Sequence, residues 1–545
     1  MDIFDYVIVG GGSAGCVIAN RLTNAGAKVC VLEAGPVDSN FFIHMPVGFV
    51  KTLFNPSLIW QFQTEPTLNT NNRSLYAPQG KTLGGSSSVN GMVFVRGQAN
   101  DYNSWAQRGN RGWGYSDVLP YFKKIEKRLA PHDSDYRGSE GNLPITDPDW
   151  RHPLCEAFID GAHSLGLPRD NDYNGASQEG TGYYQRSIFG SRRISAARAY
   201  LYPVMGRPNI QVVTEARATS IMLEGKRAVG VTYLKGGKSI EVRASKEVIV
   251  TAGAVNTPRL LQLSGIGNPQ LLSNVGIVVK HELPGVGENL SDHYSPRVVA
   301  SVKNSGTING LVKGRRLVSE FLRWTFKKPS VLGLSAAVCY AFGRSDPALD
   351  APDYTVIFTP ASYKEGQLGV LDNYPGVTAG AWQMRPESTG YVRITSKDIN
   401  VAPVVQPNYL SSDRDKQVLL TAIRMARKIL RSQPMARYFD TEKLPGVNAE
   451  SDDELLDFAR RYGSSTYHLA GSCRMGPQSE RHTVVDDQLR VHGLQGLRIA
   501  DTSILPAMVS ANTYATALMI GEKASDFILG QNSALIDSSS LRSAS

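Results

Sequence analysis

Three glycines near the start of the chain have the spacing of a pyrophosphate-binding turn. Gly10, Gly12 and Gly15 form a Gly-x-Gly-x-x-Gly pattern, in which missing side chains let backbone N–H groups approach phosphate oxygens. Glu33 follows about twenty residues later, where a carboxylate can accept hydrogen bonds from ribose hydroxyls. The pattern predicts a dinucleotide site. By itself the pattern does not distinguish NAD from FAD, because both cofactors contain the same ADP half.

The residues around these glycines predict a strand, a helix and a second strand. Residues 4–9 are a short apolar run typical of a buried parallel strand. Residues 13–22 place apolar side chains at helical spacing, and Gly26 ends that pattern. Residues 28–32 predict the second strand. The glycines therefore lie at a strand-to-helix turn, with Glu33 at the end of the second strand, which is the context that makes the motif informative.

A second cluster of small residues, Gly84 to Ser88, predicts a loop that can lie against a flat ring. Its amides and hydroxyls can donate hydrogen bonds to such a ring, and its glycines leave room for close approach. The apolar residues Val89, Met92 and Phe94 follow directly. They predict that the loop is buried, since a surface linker would be polar.

Four separated segments resemble the glucose-methanol-choline (GMC) oxidoreductase family. They are KTLGGSSSVNGMVFVRG (81–97), GAVNTPRLLQLSGIG (253–267), YHLAGSCRMG (467–476) and LRIADTSILPAMVSANTYATALMIGEKASDFI (497–528). They stand in the family's order, and the similarity runs from the first strand nearly to the tail. The resemblance implies an enzyme that uses FAD to oxidise an alcohol to a carbonyl compound.

The resemblance also implies an α/β fold (α+β overall) with two domains. The Rossmann-like FAD-binding domain is expected to be discontinuous, from residues 1–155, 208–295 and 465–530. The substrate-binding domain, an antiparallel sheet flanked by helices, is expected from residues 156–207 and 296–464. Within it, 354–358 and 390–394 are strand-like runs and 416–430 is helical.

The family resemblance further indicates which residues contact FAD. Two buried strands, 248–254 and 497–501, are expected beside the cofactor. The implied contacts are Gly10, Gly12, Ser13, Ala14, Gly15, Glu33, Ala34, Gly84, Ser87, Asn90, Gly91, Met92, Val93, Ala218, Ala252, Gly253, Asp501, Thr502, Asn512 and Thr513. Some members attach FAD covalently through a His at the position of Val89. Because valine carries no nucleophile, the resemblance implies FAD bound without a covalent link.

His468 and Asn512 are the implied catalytic pair. His468 stands in the segment that supplies the active-site His of the family, and a His suits proton abstraction because it titrates near neutrality. Hydride would pass to N5 of FAD. Asn512 matches a position that is His or Asn in the family, and it also predicts an N-cap for a helix beginning near Thr513. Leu469 departs from the Pro that commonly follows the catalytic His.

The substrate side is implied by the resemblance alone. Val93, Trp382 and Tyr467 lie in segments that face the flavin in relatives. Segments 43–49 and 172–185 resemble bacterial L-sorbose dehydrogenases, with primary-alcohol dehydrogenases next, which favours a sugar or polyol. Electrons would pass to a quinone, dye or cytochrome. The alternatives are an oxidase that reduces O2 and, more remotely, a hydroxynitrile lyase-like protein that keeps FAD without redox turnover.

Bulk properties narrow the remaining possibilities. The formal charge of +9 arises from Lys and Arg spread along 545 residues, and without a long basic run nucleic-acid binding is not expected. Five cysteines without metal-ligand spacing predict a reducing compartment and no metal. No signal-like or membrane-spanning stretch is present in the sequence, so a cytoplasmic location is expected. The Ser-rich residues 531–545 predict a disordered tail.

Overall fold

The computed structural model describes residues 3–170, 172–364 and 369–530, so the predicted tail lies outside the described residues. The α-helices longer than one turn are Ser13–Asn24, Ala99–Gln107, Tyr115–Ile125, Pro153–Ser164, Gly253–Leu263, Pro269–Asn274, Gly314–Thr325, Asp413–Leu430, Asp452–Tyr462 and Thr513–Leu529. Single turns occur at Phe41–His44, Phe49–Thr52, Ile308–Leu311 and Gln433–Ala436. Two large sheets organise these helices.

The first sheet contains the predicted dinucleotide-binding strands. In spatial order its strands are Ile210–Val213, Val29–Leu32, Ile3–Val9, Lys238–Val250, Arg227–Lys235 and Arg217–Glu224, with Leu497–Ile499 pairing to Lys238–Val250. The central pairs are parallel, so their carboxyl ends meet at one edge. Val7, Ile8 and Val31 are fully buried, as the apolar runs predict. That edge is where a ligand of a doubly wound sheet binds.

The second sheet is antiparallel, as the fold-class prediction has it. In spatial order its strands are Phe439–Leu444, Arg297–Val302, Gly376–Gln383, Tyr354–Thr359, Cys339–Gly343 and Gly180–Tyr183. The helix Asp413–Leu430 packs across three of these strands, and Pro153–Ser164 packs beside it. The observed architecture therefore confirms a Rossmann-like domain joined to an antiparallel sheet that carries helices.

Side chains of the second sheet alternate strictly between two environments. On the strand Arg297–Val302, Val298 and Ala300 join the hydrophobic core beneath the helices, whereas Arg297 and Val299 line a cavity. The same alternation holds on Gly376–Gln383 and Tyr354–Thr359. Successive residues of a strand point to opposite faces, so one sheet can close the core on one side and form a cavity wall on the other.

One predicted strand of the substrate-binding domain lies outside the second sheet. Gly390–Arg393 is a strand as predicted, but it belongs to a separate sheet with Glu288–Leu290 and Val404–Gln406. The strands of the two large sheets come from the ranges predicted for the two domains, although the domain boundaries themselves stay a prediction.

Across the described ranges, no helix combines the length and apolar character needed to cross a bilayer.

Candidate active site

The glycine turn has the close contacts that its sequence pattern predicts. Gly10 has a φ of +110°, and a Cβ there would lie 2.5 Å from the carbonyl oxygen of Thr251. A Cβ at Gly15 would lie 2.1 Å from the Gly10 carbonyl oxygen. Both positions exclude a side chain because strand and helix pack tightly. Gly12 lines the cavity instead, and a Cβ there would lie 3.8 Å from the Thr251 carbonyl oxygen, an ordinary contact distance.

Glu33 lies at the end of its strand with its carboxylate against the glycine turn. One oxygen accepts from the Gly11 N–H at 2.9 Å and the other from the Gly35 N–H at 2.8 Å. Burial raises the pKa of the carboxyl to about 7, against the lowering effect of these amides. Each carboxylate oxygen has two lone pairs, so acceptor capacity remains for a ligand hydroxyl.

The small-residue loop packs directly on the turn. The Gly84 N–H donates to the Gly11 carbonyl at 2.7 Å, and the Ser87 hydroxyl accepts from the Ala196 N–H at 2.9 Å. Arg193, which sequence reasoning missed, is fully buried and donates to the Asn90 side chain at 2.7 Å. Burial lowers the pKa of this guanidinium to about 9. Arg193 therefore anchors the loop from behind.

One cavity of about 710 Å³ joins the turn, the loop and the second sheet. Of the predicted cofactor contacts, all line it except Gly15 and Gly84, whose roles are in backbone packing. The buried Asp501 accepts from the Gly253 N–H at 2.9 Å and the Thr257 hydroxyl at 2.6 Å, which ties two strand ends together. The glycine clearances, the inward carboxylate and the cavity volume fit a dinucleotide-sized cofactor.

His468 and Asn512 meet in this cavity, as predicted. The Asn512 Nδ2 lies 2.9 Å from the His468 Nε2. An amide NH2 only donates, so Nε2 of His468 is the acceptor and carries a lone pair. The helix Thr513–Leu529 begins where predicted, but the Asn512 side chain makes no capping hydrogen bond. The capping role expected for Asn512 is therefore wrong: the side chain directs Nδ2 to His468, and its oxygen, the atom that would cap, accepts from no helix N–H.

A chain of hydrogen bonds fixes the tautomer of His468. The Met384 carbonyl lies 2.7 Å from the His293 Nε2, so that nitrogen carries the hydrogen. The His293 Nδ1 must then accept, and it lies 3.0 Å from the His468 Nδ1, which donates. The Thr466 hydroxyl, at 2.8 Å, shares that donor. His468 is thereby left with an unprotonated Nε2 facing the cavity.

Burial keeps both imidazoles neutral. It lowers the pKa of His293 to about 4, and it lowers the pKa of His468 well below its ordinary value, with His293 contributing. Asp292 accepts from the His468 backbone N–H at 2.8 Å and from the Tyr409 hydroxyl at 2.6 Å. Sequence reasoning missed both Asp292 and His293. They are an adjacent pair about 175 residues before His468, and no spacing rule connects such distant positions.

The predicted pocket residues line the same cavity as His468. Val93, Trp382 and Tyr467 all line the cavity, and the Trp382 ring centroid is 6.4 Å from that of His468. Burial raises the pKa of Tyr467 to about 12. In the described part of the chain, no cluster of His, Cys, Asp or Glu could hold a metal ion.

Comparison with known proteins agrees with this geometry. Family models described as GMC oxidoreductase match residues 4–295 and 386–521. The chain belongs to the GMC oxidoreductase family. An alcohol dehydrogenase [acceptor] from Pseudomonas putida is 39% identical over 97% of this chain and 96% of its own. Human mitochondrial choline dehydrogenase is 40% identical, covering 97% of this chain and 90% of its own.

A solved structure extends the comparison. Pyridoxine 4-oxidase from Mesorbium loti superposes with a TM-score of 0.87 at 30% identity, covering 96% of this chain and 98% of its own. This GMC oxidoreductase therefore binds FAD and oxidises alcohols, as the resemblance implied. The glycine turn, Glu33 and the small-residue loop are the parts that would hold the cofactor. Bound FAD supplies the two-electron acceptor that alcohol oxidation needs.

Replacing Glu33 by Ala is expected to weaken FAD retention. The change removes a charge-assisted bond to a ribose hydroxyl, which corresponds to about a 10- to 100-fold loss of affinity. It also frees the Gly11 and Gly35 amides that now bind the carboxylate. Fluorescence of FAD released on dilution measures the effect. The exposed Glu140→Ala is the control, and full FAD occupancy of the Glu33→Ala enzyme at high dilution would contradict the assignment.

Proposed function

We propose that this GMC oxidoreductase is a dehydrogenase that oxidises a primary alcohol of a sugar, polyol or similar small molecule to the carbonyl compound. The observation that carries the proposal is the unprotonated Nε2 of His468, held 2.9 Å from the amide of Asn512. A substrate hydroxyl that approaches both atoms can replace this direct hydrogen bond: it gives its proton to Nε2 while its oxygen accepts from the Asn512 amide. His293 and Thr466 hold the imidazole through Nδ1, and Asp292 holds the backbone N–H of His468.

The electron acceptor is proposed to be a quinone-, dye- or cytochrome-type molecule. The similarity to an alcohol dehydrogenase [acceptor] supports this choice. An oxidase that makes H2O2 is the second candidate, because a pyridoxine 4-oxidase has the same fold at 30% identity. A cytoplasmic location is proposed as well, and it is supported by the five cysteines, which are buried and form no disulfide bond in the described residues.

The experiment that tests this function is anaerobic mixing of the enzyme with a panel of sugars, polyols and simple alcohols. Bleaching of the flavin band at about 450 nm identifies the oxidised alcohols. Air or a soluble quinone is then admitted. Fast return of colour with the quinone and slow return with air supports the dehydrogenase. The opposite order supports the oxidase, and absence of bleaching with every alcohol contradicts both.

FAD is proposed to be held without a covalent link. Val89 lines the cavity at the position where a His attaches FAD in some family members, and its side chain cannot form a bond to the flavin. Acid precipitation is therefore expected to leave the yellow colour in the supernatant. Colour that stays with the washed pellet would contradict this prediction.

A further inference from the structure

The cavity wall opposite the glycine turn carries one arginine on an otherwise neutral face. Arg297 lines the cavity from the second sheet, together with neighbours that are small, hydroxylated, apolar or aromatic. These neighbours on the sheet face are Ser295, Val299, Ile357, Thr359, Thr378, Gly380 and Trp382. Arg297 pairs in register with Gly380 on the neighbouring strand.

Among the residues that the structure describes, the Arg297 guanidinium has no acidic partner. Within the described ranges, no ion pair or side-chain hydrogen bond is formed by Arg297, which is partly buried. The acidic residues that line the described cavity are Glu33 and Asp501, and both lie at the first sheet. Burying part of a cation without a counter-ion costs free energy, so this position favours the binding of an anion.

Arg297 lies near residues that line the predicted substrate pocket. Its charge acts on the hydroxyls of Tyr363 and Tyr467, lowering their pKa values against the effect of burial. Both tyrosines line the cavity, and Lys364 adds a second cation there. Gly380, the partner of Arg297, and Trp382 are two residues apart on one strand, so their Cα atoms are about 7 Å apart. Arg297 therefore stands one position along this sheet face from Trp382, and its charge acts on Tyr467, the residue before His468.

We infer that Arg297 binds an anionic group of the substrate, several bonds away from the carbinol carbon that faces His468. The favoured substrates are alcohols that carry a carboxylate or a similar anion, such as hydroxycarboxylates and sugar acids. This inference rests on the proposed alcohol oxidation and narrows its substrate class. Arginine suits the role because its planar fork matches the two oxygens of a carboxylate. The same charge disfavours a cationic alcohol by like-charge repulsion.

The test compares three alcohols of equal length, 6-hydroxyhexanoate, 6-hydroxyhexanamide and 6-aminohexan-1-ol, in anaerobic stopped-flow reduction of the holoenzyme. The anion is expected to give the highest second-order rate constant and the amine the lowest. Arg297→Met should lower the value for the anion by about 30-fold, the size of one charged hydrogen-bonded contact, and leave the amide within about threefold. Arg297→Lys should retain part of the preference. Exposed Arg481→Met is the matched control.

A binding measurement separates failure of this inference from failure of the proposed function. Hexanoate, which cannot be oxidised, should perturb the flavin absorbance of the wild type with saturation and lose affinity in Arg297→Met. If no alcohol bleaches the flavin but hexanoate behaves as expected, the anion site stands and the proposed function does not. Equal rates for anion and amide, equal losses for both in Arg297→Met, or loss of FAD from that variant would overturn the inference.

A separate observation concerns the helix Gly314–Thr325 on the surface. Trp324 is its only buried residue within the described structure, and it donates to the Ser191 carbonyl at 2.7 Å. The apolar side chains exposed on this segment are Leu317, Val318, Phe321, Leu322 and Phe326. Val318 is 60% exposed and Phe326 is 70% exposed, so this apolar stripe is uncovered.

Basic residues border the stripe. They are Lys313, Arg315, Arg316, Arg323, Lys327 and Lys328, all exposed. The acidic residue of this segment, Glu320, is engaged, because its carboxylate accepts from the Val331 N–H at 2.9 Å. Apolar residues beside many cations are the pattern of a helix that lies in the interface of an anionic bilayer. The exposed Phe41 extends the surface, with its ring centroid 5.9 Å from that of Trp324.

We infer that this helix docks the enzyme on an anionic phospholipid surface. Its position suits such docking, because the turn Phe49–Thr52, which follows the helix of Phe41, lines the cavity through Phe49 and Val50. A docked enzyme would place that part of the cavity wall near the lipid.

Co-sedimentation of the full-length holoenzyme with vesicles tests the docking. Binding is expected with phosphatidylcholine that contains about 30 mol% phosphatidylglycerol, and not with phosphatidylcholine alone. High salt or the double variant Phe321→Ser, Leu322→Ser should abolish it. Leu68→Ser, at another exposed leucine, is the control. Failure of the wild type to bind anionic vesicles would overturn the inference, as would light scattering showing that the double variant dissociates a dimer instead.

Discussion

His468→Ala is expected to lower the rate of anaerobic flavin reduction by roughly 10²- to 10⁴-fold, the range of a lost general base. The reason is specific to this site, where Nε2 is the nitrogen left free by the bonds from Met384 through His293. Alanine removes the proton acceptor and leaves the FAD cradle intact. Stopped-flow mixing with saturating alcohol measures the effect, and the FAD content of the variant should equal that of the wild type.

The exposed His482→Ala serves as the control for loss of an imidazole. A second readout is pH. Because burial lowers the pKa of His468, the free imidazole persists below its ordinary pKa of about 6.5. The reduction rate of the wild type should therefore stay level as pH falls through that value, and decline only at lower pH. If His468→Ala reduced its flavin at nearly the wild-type rate, the base would lie elsewhere.

Asn512→Ala is expected to slow flavin reduction by roughly 10- to 10³-fold, because it removes a donor to the oxygen on which negative charge develops. The proton route through His468 remains, so the loss should be smaller than for His468→Ala. Stability should change little, since the Asn512 side chain makes no capping hydrogen bond. The measurements are the reduction rate at saturating alcohol and the thermal midpoint of the same preparation.

Asn268→Ala provides the opposite pattern. The Asn268 side chain accepts from the Gln270 and Leu271 N–H groups and caps its helix, so its loss should cost about 1 kcal/mol of stability with no effect on rate. Asn512→His offers a replacement donor and should recover part of the rate. An Asn512→Ala enzyme that melts early but reduces normally would show that the residue is structural.

The elements that hold the cofactor were predictable because their signals are local. Gly15 excludes a side chain because it packs on Gly10 within one strand-turn-helix, whereas the close approach at Gly10 comes from Thr251 on another segment. The helices near Ser13 and Thr513 begin where the sequence indicates. The family resemblance then supplied His468 and Asn512, which no periodicity would have singled out. Their meeting in one cavity follows from the fold and agrees with that inference.

The residues that support His468 were not predictable, because their contacts are not local in the sequence. His293 binds the imidazole, Asp292 binds the His468 backbone and Met384 binds His293 only after three distant segments fold together. Arg297 reads in the sequence as one of many surface cations, and only its place on the cavity face of a strand gives it meaning. The capping error at Asn512 has a similar origin, because local propensity predicts a cap where a tertiary partner competes for the amide.

Because side chains of the second sheet alternate between the core and the cavity, its positions are under two different evolutionary constraints. Positions of one parity, such as Val298 and Ala379, must stay apolar to keep the domain folded. Positions of the other parity, such as Val299 and Thr378, line the cavity, although the Thr378 hydroxyl also donates to the Ala361 carbonyl at 2.7 Å. Mutation can therefore sample new substrates at the second set while selection preserves the first. A scaffold with this division can give rise to many alcohol specificities by drift at a few sites, without first acquiring extra stability.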